Sequence, residues 1–394
     1  MNFQDTSAVF GDKTDAELKK QYWLFRLLNN QFLTGILSKS AEIGLKLHLP
    51  IKSLIKKTIF KHFCGGESIE DCAQAVHRLS RRRIKAILDY AVEEKFGEEA
   101  FELVKDETLR TIKHAKDNNT ISVNVFKVTG VVRSTLLEKV SAHQSLNAQE
   151  QAEWHRAKAR VTDICAGAQS VKKPIFIDGE ESWVQEAIDL LVMEMMEKFN
   201  REQPLIFNTI QLYRHDRLEF LKKSHAQAKA GGYLLAVKLV RGAYMEKERE
   251  RAIKFNYPSP IQPDKQATDQ AYNEALRYCI ENIDDLAFCV GSHNEESIQF
   301  LAQLMCEKGI KSNHEHILFA QLYGMGDNFT YVLAKNNYNV SKLIPYGNIN
   351  DLLPYLIRRA RENTSVLGQM SRELHLLTME MHRRNIKKGE GRSN

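Results

Sequence analysis

"AVKLVRGAYMEKERERA", residues 236–252, changes its period part-way along. The first five residues read as a strand apolar on both faces, interrupted only by Lys238, and from Met245 onward charged residues at helical spacing take over. Arg241, Gly242, Ala243 and Tyr244 leave room for only a short turn between the two. A strand buried on both sides that passes so quickly into a helix is half of a βα unit, and such strands belong to parallel sheets covered by helices. How often the unit recurs therefore decides the fold.

Counting this one, eight such runs follow residue 84: "AILDYAV" from Ala86, "ISVNVFKV" from Ile121, "PIFID" from Pro174, "LIFNTIQ" from Leu205, "LLAVKLV" from Leu234, "LAFCVG" from Leu286, "ILFAQ" from Ile317 and "LIPYG" from Leu343. Stretches with helical spacing separate them. The pattern predicts an α/β protein built as a distorted eight-fold βα (TIM-like) barrel, since eight strands apolar on both faces suit a closed parallel barrel better than an open sheet. No GxGxxG follows a strand and no GxxxxGK[ST] occurs, which removes the classical dinucleotide turn and the P-loop. Residues 1–83 carry no strand-like run and are expected to form an N-terminal helical arm. Residues 84–364 make the barrel, and residues 365–394 a helical and polar tail whose last ten positions are expected to be disordered.

With 43% hydrophobic and 27% charged residues the chain reads as soluble and globular, and no apolar run approaches the length needed to cross a bilayer. The acidic residues Asp5, Asp12, Asp15 and Glu17 and the lack of an apolar core near the start predict no cleaved targeting segment. Six cysteines without a CxxC pair suggest reduced thiols and a cytoplasmic setting. A net charge of +6, with acids interspersed among the bases, predicts no nucleic-acid partner. His314 and His316 lack a third ligand nearby, so no metal is expected. The segment "IKSLIKKTIFKHF", residues 51–63, sets Leu54, Ile55, Ile59 and Phe63 against four lysines. It has two readings: an ordinary amphipathic helix covering the barrel, which its common pattern favours, or a helix lying on an anionic membrane surface.

In a parallel barrel the chemistry sits where strands end. Those positions carry Asp89, Lys127 on the second strand, Asp178 on the third, Gln211 on the fourth, Lys238 with Arg241 on the fifth, Ser292, His293 and Asn294 after the sixth, and Gln321 after the seventh. An interior charge is costly unless paired, so convergence of several at one mouth points to an anionic or electron-rich ligand. The small-residue turn "RGAY" lets backbone N–H groups come close to it. Beyond the last strand, Tyr355, Arg358, Arg359 and Glu362 share one helix face. Two adjacent guanidiniums suit a planar carboxylate, while a surface helix with an Arg–Glu pair is the plainer reading.

"KLVRGAY" together with "YLIRRAREN" resembles the signature pair of the flavin-dependent proline dehydrogenases, also called proline oxidases. "FKVTG", "IFIDGEES", "LIFNTIQLY", "PIQPDKQATDQAY", "VGSHNEESI", "LYGMGD" and "IPYG" follow in that family's order, and the likeness spans residues 18–369. It is nearer to the single-activity, mitochondrial-type enzymes than to the bifunctional bacterial ones. The resemblance implies FAD across the barrel mouth, with Lys238 near flavin N5 and Gln211 and Gly179 at the ring. Val240, Arg241, Gly242 and Ala243 are then expected at the pyrophosphate and ribityl region, with Thr268, Ser292, His293 and Asn294 on the rest of the cofactor and Glu362 on its ribityl or ribose side. It further implies a pocket of Lys127, Asp178, Tyr244, Leu322, Tyr355, Arg358 and Arg359, with the two arginines on the carboxylate of L-proline.

The reaction so implied is hydride transfer from the ring carbon next to nitrogen onto the flavin. It yields Δ1-pyrroline-5-carboxylate, with electrons passed on to a membrane quinone. Asp178 and Lys127 are the groups expected to bias the amine proton. An enzyme of this kind is expected in the cytoplasm or peripheral on the inner face of a bacterial membrane, or on the matrix side of a mitochondrial inner membrane. One departure from the family pattern is Leu343, where a Tyr usually stands, so hydroxyproline dehydrogenation remains an alternative. A Schiff-base barrel aldolase using Lys127 or Lys238 is the alternative from another class. A non-enzymatic binding module would be expected to have lost these pocket charges.

Overall fold

The computed structural model of the chain describes residues 1–28, 59–91, 95–352, 355–356 and 369–386. Its strands are β1 (Lys85–Tyr90), β2 (Ile121–Phe126), β3 (Ile175–Ile177), β4 (Ile206–Gln211), β5 (Leu235–Val240), β6 (Leu286–Gly291), β7 (Ile317–Leu322) and β8 (Val340–Tyr346). Each pairs in parallel with its successor, and β8 closes on β1, so the α/β barrel expected from the sequence is the observed fold.

Burial on both faces has two destinations. Ile87, Val123, Val125, Phe176, Phe207, Ala236, Ala287, Cys289 and Ala320 fill the barrel interior. Their outward-facing neighbours, such as Leu88, Phe126, Ile177, Val237, Phe288 and Phe319, join the core beneath the surrounding helices. The interior interdigitates by size: Phe176 and Phe207 meet edge to face at 5.1 Å, while β5, β6 and β7 contribute Ala236, Ala287 and Ala320.

Several strand ends differ from the sequence reading: Asp178 falls just past β3 and Arg241 just past β5. β8 begins at Val340 rather than Leu343, which brings Ser341 and Lys342 into the sheet. Gln321 lies inside β7 rather than after it. Lys127 lies just past β2, still extended at φ −107° and ψ 138°, and leads into the 3-10 turn Val128–Gly130. Its strand ends there because the next residues bond among themselves: Gly130 N–H donates to Lys127 O at 3.1 Å and Val131 N–H to Val128 O at 2.9 Å.

Ahead of the barrel, the helices Thr6–Phe10 and Asp15–Leu28 and the short helix Lys61–Phe63 bury Val9, Phe10, Leu18, Tyr22, Phe25 and Phe63. Their packing partner comes from the other end of the chain. The helix Gln369–Arg383, read from sequence as part of a helical and polar tail, inserts Leu376, Leu377 and Met381 into the same cluster. The arm is also not wholly without strand pairing, since Gly66 forms an isolated parallel bridge with Tyr346. Most of the amphipathic segment 51–63 and the last eight residues, 387–394, lie outside the described residues. Among the described residues no helix is long and apolar enough to cross a membrane.

Charges seal the junction of arm, barrel and tail. Lys342, fully buried on the outer face of β8, pairs with Asp327 at 3.0 Å and donates to the carbonyls of Leu322 and Met325. Lys13 of the arm approaches the same carboxylate at 3.4 Å, and Glu373 of the tail helix accepts the Gly326 N–H at 2.8 Å. These cations hold the Asp327 carboxyl far below its ordinary range in spite of burial, whereas burial pushes Glu373 up to about 7.

Candidate active site

Lys238 faces the barrel interior on β5, on the same side as Ala236, and is only 7% exposed. A cation so placed needs a counter-charge, and Asp178, the residue immediately after β3, supplies it through a direct ion pair. The ammonium also lies 5.5 Å from the centre of the Phe176 ring. Its neighbour across the β5–β6 ladder is Cys289, whose thiol burial pushes up to about 12. Lys127 and Asp178 stand on adjacent strand ends, and the Asp178 N–H extends the ladder by donating to Phe126 O at 3.0 Å.

The exit of β4 lies against this pair. Gln211 is buried, its Oε1 has no protein partner, and a Cβ on Gly179 would come within 2.9 Å of its side chain. Glycine at 179 thus leaves space for Gln211 at the mouth. Gly242 is needed for a similar reason and a second one: its φ is +137°, and a Cβ there would strike the Tyr213 ring at 2.4 Å. Val240 closes β5, Ala243 continues the turn, and Tyr244 stands at the N-cap of the helix Met245–Phe255.

Arg241, expected at a phosphate, is engaged by protein groups. Its Nε donates to Asp269 at 2.8 Å, its Nη atoms donate to Ser292 Oγ at 2.8 Å and Ser297 Oγ at 3.0 Å, and its plane lies 4.3 Å over Tyr272. It ties the β5 exit to the β6 exit. There Ser292 Oγ accepts the Asn294 N–H at 3.1 Å, and Asn294 caps the helix Glu295–Glu307 through Ser297 N at 2.9 Å. His293 Nε2 accepts the Leu322 N–H at 3.3 Å, and Thr268 is buried on the helix Lys265–Glu281. Leu322 ends β7 next to Leu343, its register partner on β8. Tyr355 is buried among the arm and tail residues, with Phe63, Met325 and Leu356. Arg358, Arg359 and Glu362 lie outside the described residues. Among the described residues no three His, Cys, Asp or Glu side chains gather as a metal site.

The family model for proline dehydrogenase matches residues 72–372. The chain belongs to the proline dehydrogenase family. Proline dehydrogenase 1, mitochondrial, of Dictyostelium discoideum is 30% identical over 96% of this chain and 74% of that protein. Hydroxyproline dehydrogenase of Xenopus laevis is 29% identical over 98% of this chain and 90% of its own. Among solved structures, proline utilization A from Bdellovibrio bacteriovorus inactivated by N-propargylglycine superposes with a TM-score of 0.72 at 19% identity, over 93% of this chain and 38% of that longer one. At that identity the likeness is one of fold.

In this proline dehydrogenase family member the sequence reading passed over a residue beside the pair. Glu180, two positions after Asp178, is buried and accepts the Thr129 N–H at 3.0 Å and the Thr129 hydroxyl. Burial pushes its carboxyl up to about 7, with Lys127 the main charge opposing the shift. The run "DGEES" was the available signal: three acids at one strand end are more than a turn requires. The neighbouring acids lock the next loop, Glu181 by pairing with Lys247, and Glu248 by accepting both Ser182 N and Ser182 Oγ at 2.6 Å.

Proposed function

We propose that the chain oxidises L-proline to Δ1-pyrroline-5-carboxylate with FAD as cofactor, and that a membrane quinone takes the electrons. The observation that carries this reading is the Lys238–Asp178 pair at the mouth of a proline dehydrogenase family barrel, next to the buried, unpartnered Oε1 of Gln211. The residues fit a flavin: Gln211 has a polar atom in need of a partner, Gly179 and Gly242 keep the backbone close, and Lys238 brings positive charge. Val240, Ala243, Thr268, Ser292, His293, Asn294 and Glu362 would hold the remainder, with Arg241 bracing the loops that carry them. Bound FAD supplies the hydride acceptor.

The remaining work falls to the chain. Lys238 offers a fixed positive charge where reduction adds electron density, and Asp178 keeps it aimed. Arg358 and Arg359 grip the substrate carboxylate in bidentate fashion. Lys127 and Asp178 bias the proton on the substrate nitrogen, whose lone pair must be free when the carbon–hydrogen bond breaks. Tyr244, Leu322 and Tyr355 complete the pocket. A quinone acceptor implies work at a membrane face, on the inner side of a bacterial membrane or the matrix side of a mitochondrial one, with residues 51–63 as the contact segment. The family match leaves the Schiff-base aldolase without support.

Leu343 favours a second activity of the same site. Without the usual phenol, the pocket has room for a ring hydroxyl, so trans-4-hydroxyproline is a slower substrate. The test is anaerobic bleaching of the bound flavin: L-proline should bleach it, and a flavin that L-proline leaves oxidised would overturn the reading.

A further inference from the structure

We infer that Glu180 is a positioning residue that holds the two loops carrying Lys127 and Asp178 as one unit and so fixes where Lys127 stands. The inference rests on the function proposed above. Its geometry is symmetrical along the chain. Glu180 follows Asp178 by two residues, and Thr129 follows Lys127 by two. The Glu180 carboxylate takes both donors of Thr129, the N–H at 3.0 Å and the hydroxyl, so one side chain closes the gap between the β2 and β3 exits. Nearer the strands, the Asp178 N–H donates to Phe126 O at 3.0 Å.

Glu180 is itself held from behind. Its N–H donates to Gln185 Oε1 at 2.7 Å, and Gln185 Nε2 donates to Asp189 Oδ1 at 3.0 Å. Asp189 in turn receives both Arg217 Nη atoms, at 2.8 and 3.0 Å, and Asn208 Nδ2 at 2.8 Å. Gln185, Asp189, Asn208 and Arg217 are all buried, so the chain has few ways to relax.

A carboxylate is an expensive choice for this place. Thr129 offers one hydroxyl and one N–H, and a glutamine could satisfy both: its carbonyl would accept the N–H and its amide would donate to the hydroxyl oxygen. Hydrogen bonding to the turn therefore does not require an acid. What the acid adds is a group that carries charge when it ionises, and the cation that favours its ionised form is Lys127, at the start of the turn that holds Thr129. A fold that bears the desolvation cost of a buried carboxylate next to a pocket lysine gains orientation of that lysine.

The test compares Glu180→Gln, Glu180→Asp and Thr129→Val with the unaltered flavoprotein. Flavin content, Tm, kcat and KM for L-proline and the pH profile of kcat are measured for each. Glu180→Gln should keep its FAD and its Tm, hold KM for proline within about twofold, and lower kcat by about 10- to 100-fold, the cost of a misplaced group at a reacting centre. Its kcat–pH profile should also be displaced. Glu180→Asp, which restores the charge one methylene short, should recover part of the loss, and Thr129→Val, which keeps the backbone bond and the charge, should fall between unaltered protein and Glu180→Gln. If Glu180→Gln matches the unaltered protein in kcat and pH profile, or if kcat per bound flavin is unchanged while Tm and flavin content fall, the inference is overturned and Glu180 is structural. Failure of L-proline to bleach the unaltered protein would instead overturn the proposed function, and this inference with it.

Discussion

Lys238 and Asp178, 60 residues apart in the chain, form one ion pair across the barrel mouth. Neither strand end could bury its charge alone at this depth, and each makes the other tolerable. The pair also puts a fixed cation and an acceptor where substrate oxidation would need them.

Removing one member tests that arrangement. Lys238→Ala leaves Asp178 without its cation and removes the charge proposed to stand against a reduced flavin. The expected outcome is a lower flavin reduction potential, slower hydride transfer and a stability loss on the order of 1.5–3 kcal/mol, the range for a charged hydrogen bond. Potentiometry and stopped-flow bleaching report on the first two. An unshifted potential would contradict the role given to Lys238.

Gly242 is constrained by backbone and by space together. Gly242→Ala places a Cβ at a φ of +137° and drives it into the Tyr213 ring. Strain of about 1–3 kcal/mol at the turn should lower Tm and strip the protein of flavin. Full flavin occupancy in this variant would show that the turn does not shape the cofactor site.

Glu373 predicts a pH signature for the packing of the tail helix. Its ordinary carboxyl value is 4.5, and burial raises it to about 7 in the folded protein. Folding therefore takes up a proton between those values. Stability from this group is complete below about 4.5 and declines as pH rises to about 7. Glu373→Gln retains an acceptor for Gly326 N–H and cannot titrate, so its advantage over the unaltered protein should grow from near zero at pH 4 to on the order of 2–3 kcal/mol at pH 8. Denaturant unfolding of both proteins across that range measures it, and a pH-independent difference would count against the buried acid.

Leu343 bears on substrate choice. It lies on β8 beside Ile87 and Leu322, half-buried at the inner wall. A Leu rejects an added hydroxyl only weakly, so Leu343→Tyr should increase the preference for proline over trans-4-hydroxyproline by roughly 1–3 kcal/mol. Proline should stay the better substrate in the unaltered protein, because Leu343 offers the hydroxyl no partner. Equal discrimination by both proteins in flavin bleaching would remove this position from the substrate pocket.

The amino-acid sequence by itself determined the barrel. Burial on both faces is a local property of each strand run, and eight such runs each followed by a helix leave a closed parallel sheet as their common solution. It also located the mouth, because polar residues interrupt apolar strands at their ends, as Asp178, Gln211 and Lys238 do. The tertiary structure alone decided which polar residues are buried. Ser341 and Lys342 look like loop in the sequence, yet β8 includes them because Asp327 and two carbonyls surround the Lys342 ammonium. Lys13 reaches that same Asp327 across 314 residues, and Glu373 joins them from the far end of the chain. Glu180 likewise has meaning only through Thr129 and Lys127 on the neighbouring strand exit. The physical reason is the same in each case: apolar burial follows from composition along one segment, whereas a buried charge is stable only opposite partners that other segments bring to it.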